Sequence, residues 1–197
     1  CNYENSIQKM EILVKEIICG KSLEQIWLLQ YDSLYTAGTS AKDKDLLERA
    51  KLPIHQAKRG GQFTYHGPGQ RIIYPILDLR KLRKDVRHYI WLLEEWIIKT
   101  LRKFNIDGRR QKGRVGIWVN GSDGEKKIAA IGVRITRWIT SYGISVNLDP
   151  DLSNYSGIVP CGILDQGVTS FSDLGIYTTV SEFDHELKKV FKEVFKK

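Results

Sequence analysis

The sequence predicts an α/β domain of the α+β kind, with a mixed sheet, and three observations carry that expectation. Val86, Tyr89, Ile90, Leu93, Trp96, Ile97, Leu101 and Phe104 recur at helical spacing and make one apolar face from Asp85 to Phe104. "RVGIWVN" and "KKIAAIGVRIT" flank the turn "GSDGE", the pattern of a β-hairpin. Strand and helix patterns are interspersed along the chain rather than segregated, which suits helices packed on one mixed sheet. At 197 residues and 42% hydrophobic content, the whole span 1–197 is expected to be one domain with its own core.

The elements follow in order. Ile7, Met10, Val14, Ile17 and Ile18 give residues 5–18 a helical face that closes near Gly20. "EQIWLLQYDSLYTAG" (24–38) begins as a β-rich run and breaks at Gly38, and "AKDKDLLERA" (41–50) is expected as a short exposed helix. "QRIIYPILDL" (70–79) has the pattern of a buried strand, with Pro75 suggesting an edge or a bulge because it lacks an N–H. "RWITSYGISVNL" (137–148) adds a strand, and a polar loop over 149–157 leads to "IVPCGI". The last helix opens on "SEFD", where Ser181 is the expected N-cap with Asp184 three residues on. Its apolar face is Phe183, Leu187, Val190, Phe191 and Val194.

Charge and cysteine usage bound the setting. A formal net charge of +8 asks for an acidic partner without choosing among nucleic acid, anionic lipid and an acidic carrier protein. No run approaches the roughly 18 apolar residues that span a bilayer, and "CNYENSIQKM" lacks the regions of a secretory signal. Three cysteines make no disulfide framework, so a cytoplasmic setting is expected. His55, His66, His88 and His185 are dispersed and no C-x-x-C spacing occurs, so no metal is expected. The nucleotide-binding glycine patterns are missing as well.

Three places carry possible chemistry. Cys19 lies on or beside an apolar helix face and is expected as a small buried hydrophobe. Cys161 stands between Pro160 and Gly162, at a bend where a thiol can meet a substrate and amide N–H groups can meet an oxyanion. Local sequence leaves nucleophilic and structural roles both open. A free thiol titrates near ~8.5 and needs a cation to lower it. Lys126 and Lys127 precede the small-residue strand Ile128–Gly132, and alternation sends them to opposite faces, so at most one points inward. Two solvated hairpin lysines are the other reading. The third place is "RGGQFTYHGPGQ" (59–70), whose glycines allow a close approach of backbone to a ligand.

"RGGQFTYHGPGQ", "KIAAIG" and "PCG" followed by "GVTSF", in this order, resemble the lipoyl(octanoyl) transferases, from about Ile26 to Leu174. That resemblance implies the α/β catalytic domain shared with biotin and lipoate protein ligases. It implies an acyltransferase that takes octanoyl from octanoyl-acyl carrier protein, holds it as a thioester, and passes it to a lysine. The acceptors implied are lipoyl domains of 2-oxoacid dehydrogenase complexes and the glycine-cleavage H protein. By motif position the nucleophile is Cys161 and its partner is Lys127. Substrate contacts are expected from Arg59, Gly60, Gly61, Gln62, Phe63, Thr64, Tyr65 and His66. Further contacts are expected from Ala130, Ile131 and Gly132, and from Gly143, Ile144 and Ser145.

No cofactor, nucleic acid or membrane enters this reading, and a monomer is expected. Arg59 either holds its loop or meets the carrier's phosphopantetheine arm. Lys127 would lower the thiol pKa in the first half-reaction and is a candidate base in the second. Two positions depart from the family pattern. Tyr31, Asp32 and Ser33 replace a His-Pro-Pro-like start, and Tyr142 replaces a His. The rivals are an ATP-dependent lipoate or biotin ligase and a non-catalytic carrier-binding or RNA-binding module.

Overall fold

The computed structural model describes residues 1–47, 51–121, 124–159 and 167–195. Its main sheet has six strands, all pairing antiparallel, in the order β1 (Gln25–Leu29), β5 (Gln70–Ile76), β9 (Ile139–Asn147), β8 (Gly124–Thr136), β7 (Arg114–Gly121), β6 (Arg109–Gln111). A second sheet places β2 (Leu34–Ala37) between β3 (Ile54–Gln56), which runs parallel to it, and β4 (Phe63–His66), which runs antiparallel. The α-helices among the described residues are α1 (Tyr3–Ile18), α2 (Val86–Arg102) and α3 (Val180–Val194). None of them is long and apolar enough to cross a membrane.

Strand alternation divides the main sheet between two cores. Ile73 packs in the cluster built by Leu93, Trp96 and Ile97 of α2 with Phe183 and Leu187 of α3. Its neighbours Ile72 and Tyr74 pack instead with Met10, Val14 and Ile17 of α1. Trp96 couples the two helices of the first core by donating its indole N–H to the Leu187 carbonyl at 2.8 Å. On α2, Asp85 caps the N-terminus by accepting the His88 N–H at 3.0 Å.

Several expectations change. The β-rich run over 24–38 is two strands in different sheets, β1 and β2. The exposed helix expected over 41–50 is replaced by a 3-10 turn, Asp43–Asp45, among the residues described there. Its backbone is engaged elsewhere: Leu47 N–H donates to Gly157 and the Asp45 carbonyl accepts from Val159. Residues 48–50 lie outside the described residues.

Pro75 sits inside the sheet, on a strand flanked by β1 and β9. Its missing N–H is tolerated because pairing to β9 lapses after Ile73↔Ile144. There the Thr140 hydroxyl donates to the Pro75 carbonyl at 2.6 Å and accepts the Leu77 N–H at 2.8 Å. The last helix is capped by Thr179, not Ser181, with Glu182 closing a reciprocal capping box. Asp184 pairs with Arg71 on β5 instead. Cys19 is the exposed C-cap residue of α1 rather than a buried one, because the helix ends one residue before it.

Candidate active site

The glycine-rich loop, β8 and β9 meet around one narrow slot of about 60 Å³. Register explains why two separated segments share it. Ala130, Ile131 and Gly132 on β8 are the direct cross-strand partners of Ser145, Ile144 and Gly143 on β9. β7 pairs with β8 only as far as Ile117↔Ala129, and past that point the Gly60 N–H bonds the Val133 carbonyl at 3.0 Å. The loop therefore docks along the β8 edge that β7 leaves open.

Arg59 through Thr64, His66, Ala130–Gly132 and Gly143–Ser145 all line the slot, as the residues expected there by motif. Tyr65 does not. Tyr65 alternates with its neighbours Thr64 and His66, so its ring turns to the side opposite theirs, against Tyr35 and Tyr155, with its hydroxyl 3.2 Å from Ser33 Oγ. Tyr74 and Tyr142 complete the lining, beyond the contacts that the motifs imply. Tyr142 is one of the departures from the family pattern and bears on substrate fit; nothing local marks Tyr74 beyond its place on a buried strand.

Arg59 is buried and directed into the protein. Its Nη2 donates to the Thr36 carbonyl at 3.0 Å and hydroxyl at 2.7 Å, and Nη1 donates to the Gly60 carbonyl at 3.0 Å. A Cβ on Gly38 would come within 2.7 Å of Arg59 Nη1, and one on Gly132 within 2.9 Å of Arg59 Cδ. Two glycines outside the loop therefore make room for the arginine that anchors it.

His66 is neutral. Burial, then the nearby Arg59 charge, lower its pKa from 6.5 to about 3. Gln70 Nε2 donates to the Tyr65 carbonyl and to Asn147 Oδ1, which turns Gln70 Oε1 toward His66 Nδ1 at 3.2 Å. An amide oxygen only accepts, so this network assigns the imidazole proton to Nδ1 and leaves Nε2 as an acceptor. Asn147 Nδ2 continues the chain to the Thr169 carbonyl at 2.8 Å, and the Thr169 N–H reaches the Lys127 carbonyl at 3.0 Å.

Lys127 is 8% exposed and turns inward. Its cross-strand partner is Trp118, and Nζ lies 4.7 Å from that ring's centroid, a cation–π contact. Gly116 lies beneath the stem: a Cβ there would come within 3.4 Å of Lys127 Cε. Lys126 takes another course, past Gly121 and Gly167. Cys161 lies outside the described residues. The described chain stops at Val159, whose N–H bonds the Asp45 carbonyl at 2.8 Å, and resumes at Gly167, whose carbonyl accepts the Lys127 N–H at 3.0 Å.

A family model described as "Lipoyl protein ligase A/B catalytic domain" matches residues 2–192. The chain is 51% identical over 202 residues to a protein named Octanoyltransferase from Bartonella quintana (strain Toulouse), covering 98% of this chain and 82% of that one. It is 49% identical to an Octanoyltransferase from Dinoroseobacter shibae (strain DSM 16493 / NCIMB 14021 / DFL 12), covering 98% and 92%. Among solved structures, the bipartite lipoate protein ligase system of Thermoplasma acidophilum is similar, with a TM-score of 0.70 at 15% identity, covering 95% of this chain and 78% of that one. At that identity the likeness establishes the fold alone.

Proposed function

The chain belongs to the lipoyl protein ligase A/B catalytic domain family, and from that premise we propose that it is the octanoyltransferase of lipoate biosynthesis. Its reaction is the transfer of an octanoyl group to a lysine of lipoyl domains. The observation that carries this reading is the slot itself, where the loop Arg59–His66 closes over the paired segments of β8 and β9. Relatives about half identical over nearly the whole chain, named octanoyltransferases, favour it over an ATP-dependent ligase of the same fold.

Octanoyl-acyl carrier protein is the donor, and E2 lipoyl domains and the glycine-cleavage H protein are the acceptors. The Cys161 thiolate attacks the donor's thioester carbonyl, expels the carrier thiolate, and keeps the octanoyl group as a new thioester. The incoming lysine amine then attacks this carbonyl, the Cys161 thiolate leaves, and the amine's surplus proton passes to a base. The Lys127 cation favours the thiolate in the first step and hands its proton to the departing carrier thiolate, so the neutral amine is the base that takes the proton in the second. Support for Lys127 is its inward, buried stem and the Gly167 anchor six residues after Cys161. Glycine and alanine walls suit an unbranched chain, and each buried methylene adds about 0.8 kcal/mol of binding. The net charge of +8 complements acidic carrier domains, so transfer rates from the intact carrier should fall as salt rises.

Mass spectrometry after incubation with octanoyl-acyl carrier protein tests the pathway. One hydroxylamine-labile octanoyl group is expected, lost in Cys161→Ala, with onward transfer to a lipoyl domain in the absence of ATP. A stable adduct elsewhere, or transfer that needs ATP, would contradict it.

A further inference from the structure

The slot abuts the ring of Tyr142, and a second cavity lies beyond that residue. This cavity, about 260 Å³, sits between α1 and the β8–β9 end of the sheet, with Met10, Glu11, Val14, Lys15 and Ile18 on its α1 side. Tyr142 is the one residue that lines both spaces among the described residues. Three contacts hold it. Its ring packs edge-on to Tyr74 with centroids 5.9 Å apart, its hydroxyl accepts the Lys58 N–H at 3.2 Å, and its own N–H points to Met10 Sδ at 3.3 Å. Its φ is +58°, in the left-handed region that bulky side chains seldom occupy. Such a conformation persists only where the surroundings over-determine it.

We propose that Tyr142 is the specificity-determining stop that limits acyl chain length, a wall between a narrow acyl slot and a larger unused cavity. The proposal rests on the acyl-transfer reading of the slot. A chain that fits ends against the ring. A longer one must displace a side chain held at ring and hydroxyl, on a backbone fixed by its own N–H contact. With the ring removed, the slot opens into a space where Met10, Val14 and Ile18 offer apolar contacts beside the charged Glu11, Lys15, Lys58 and Arg134, and added methylenes bind against those apolar side chains instead of clashing. Each methylene accommodated is worth about fourfold in affinity.

The test compares kcat/KM for hexanoyl, octanoyl and dodecanoyl carrier donors, with circular dichroism reporting the fold. Tyr142→Gly suits φ +58° and removes the ring. Its dodecanoyl-to-octanoyl ratio should rise by at least about tenfold over the wild type. Adding Val14→Phe, which fills the second cavity, should lower the ratio again. A folded Tyr142→Gly that transfers octanoyl with an unchanged ratio overturns the proposal and leaves the transferase reading intact. Should the glycine variant not fold, Tyr142→Trp decides: the hexanoyl-to-octanoyl ratio should rise, and an unchanged ratio overturns the proposal. A wild type that transfers no acyl group at all overturns the transferase reading and the chain-length stop together.

Discussion

Arg59 Nη2 donates to both the carbonyl and the hydroxyl of Thr36, at 3.0 and 2.7 Å, so the glycine-rich loop is tied to β2 through its own first residue. The tie joins the three-stranded sheet to the loop that closes the slot on the six-stranded one. Anchoring by a buried, planar donor fork has consequences that a surface contact to a carrier would not.

Arg59→Lys should lower stability by about 2–4 kcal/mol, because an ammonium cannot bridge Thr36 and Gly60 with the same geometry. Octanoyl transfer should fall with it. Urea denaturation checks the first effect and acyl-enzyme formation the second. An arginine that only met the carrier arm would leave the denaturation midpoint where it was.

Lys127→Met keeps the aliphatic stem over Gly116 and removes the charge. Acylation of Cys161 should slow by about 10²–10⁴-fold while the fold persists. Loss of the cation should raise the thiol pKa toward ~8.5 and move the pH profile of alkylation by iodoacetamide up. An unmoved profile would remove Lys127 from thiol activation.

His66 makes the protein acid-sensitive. The unfolded imidazole binds a proton below about pH 6.5, whereas the folded one resists until about 3. Between those values the unfolded state holds more protons, so stability falls as pH drops through the window and is fully present above it. His66→Asn, which retains a donor for Gln70, should flatten the dependence by about one proton. The check is the slope of unfolding free energy against pH, measured for both proteins by urea titration.

Arg71 and Asp184 form a two-point pair between β5 and α3, Nε to Oδ1 at 2.8 Å and Nη2 to Oδ2 at 2.5 Å, with both side chains mostly buried. A double-mutant cycle with Arg71→Met and Asp184→Asn should return a coupling of about 1–3 kcal/mol. Raising salt should weaken it less than the exposed pair of Lys189 and Glu186.

Elements governed by neighbours in the chain were legible. The α2 face follows from the spacing of Leu93, Trp96 and Ile97, and Asp85 caps it as a short polar residue at that boundary should. Thr179 and Ser181 illustrate the limit. Both are capable caps two positions apart, and the choice depends on Asp184 being held by Arg71, 113 positions away. Pro75 shows the same limit, since its place inside the sheet depends on a hydroxyl from Thr140.

By itself the sequence determined the helical and strand periodicities, the family, and nearly all of the residues that line the slot. Those are periodicities within single elements and short motifs whose order along the chain is itself sequence. Only the tertiary structure decided that Ala130 faces Ser145, that Tyr65 turns away while Arg59 turns inward, that Lys127 lies over Trp118, and that Tyr142 stands between two cavities. The physical reason is that strand register and the partners of buried polar groups are set by which distant segments pack together. A side chain's role at the slot is the outcome of that packing.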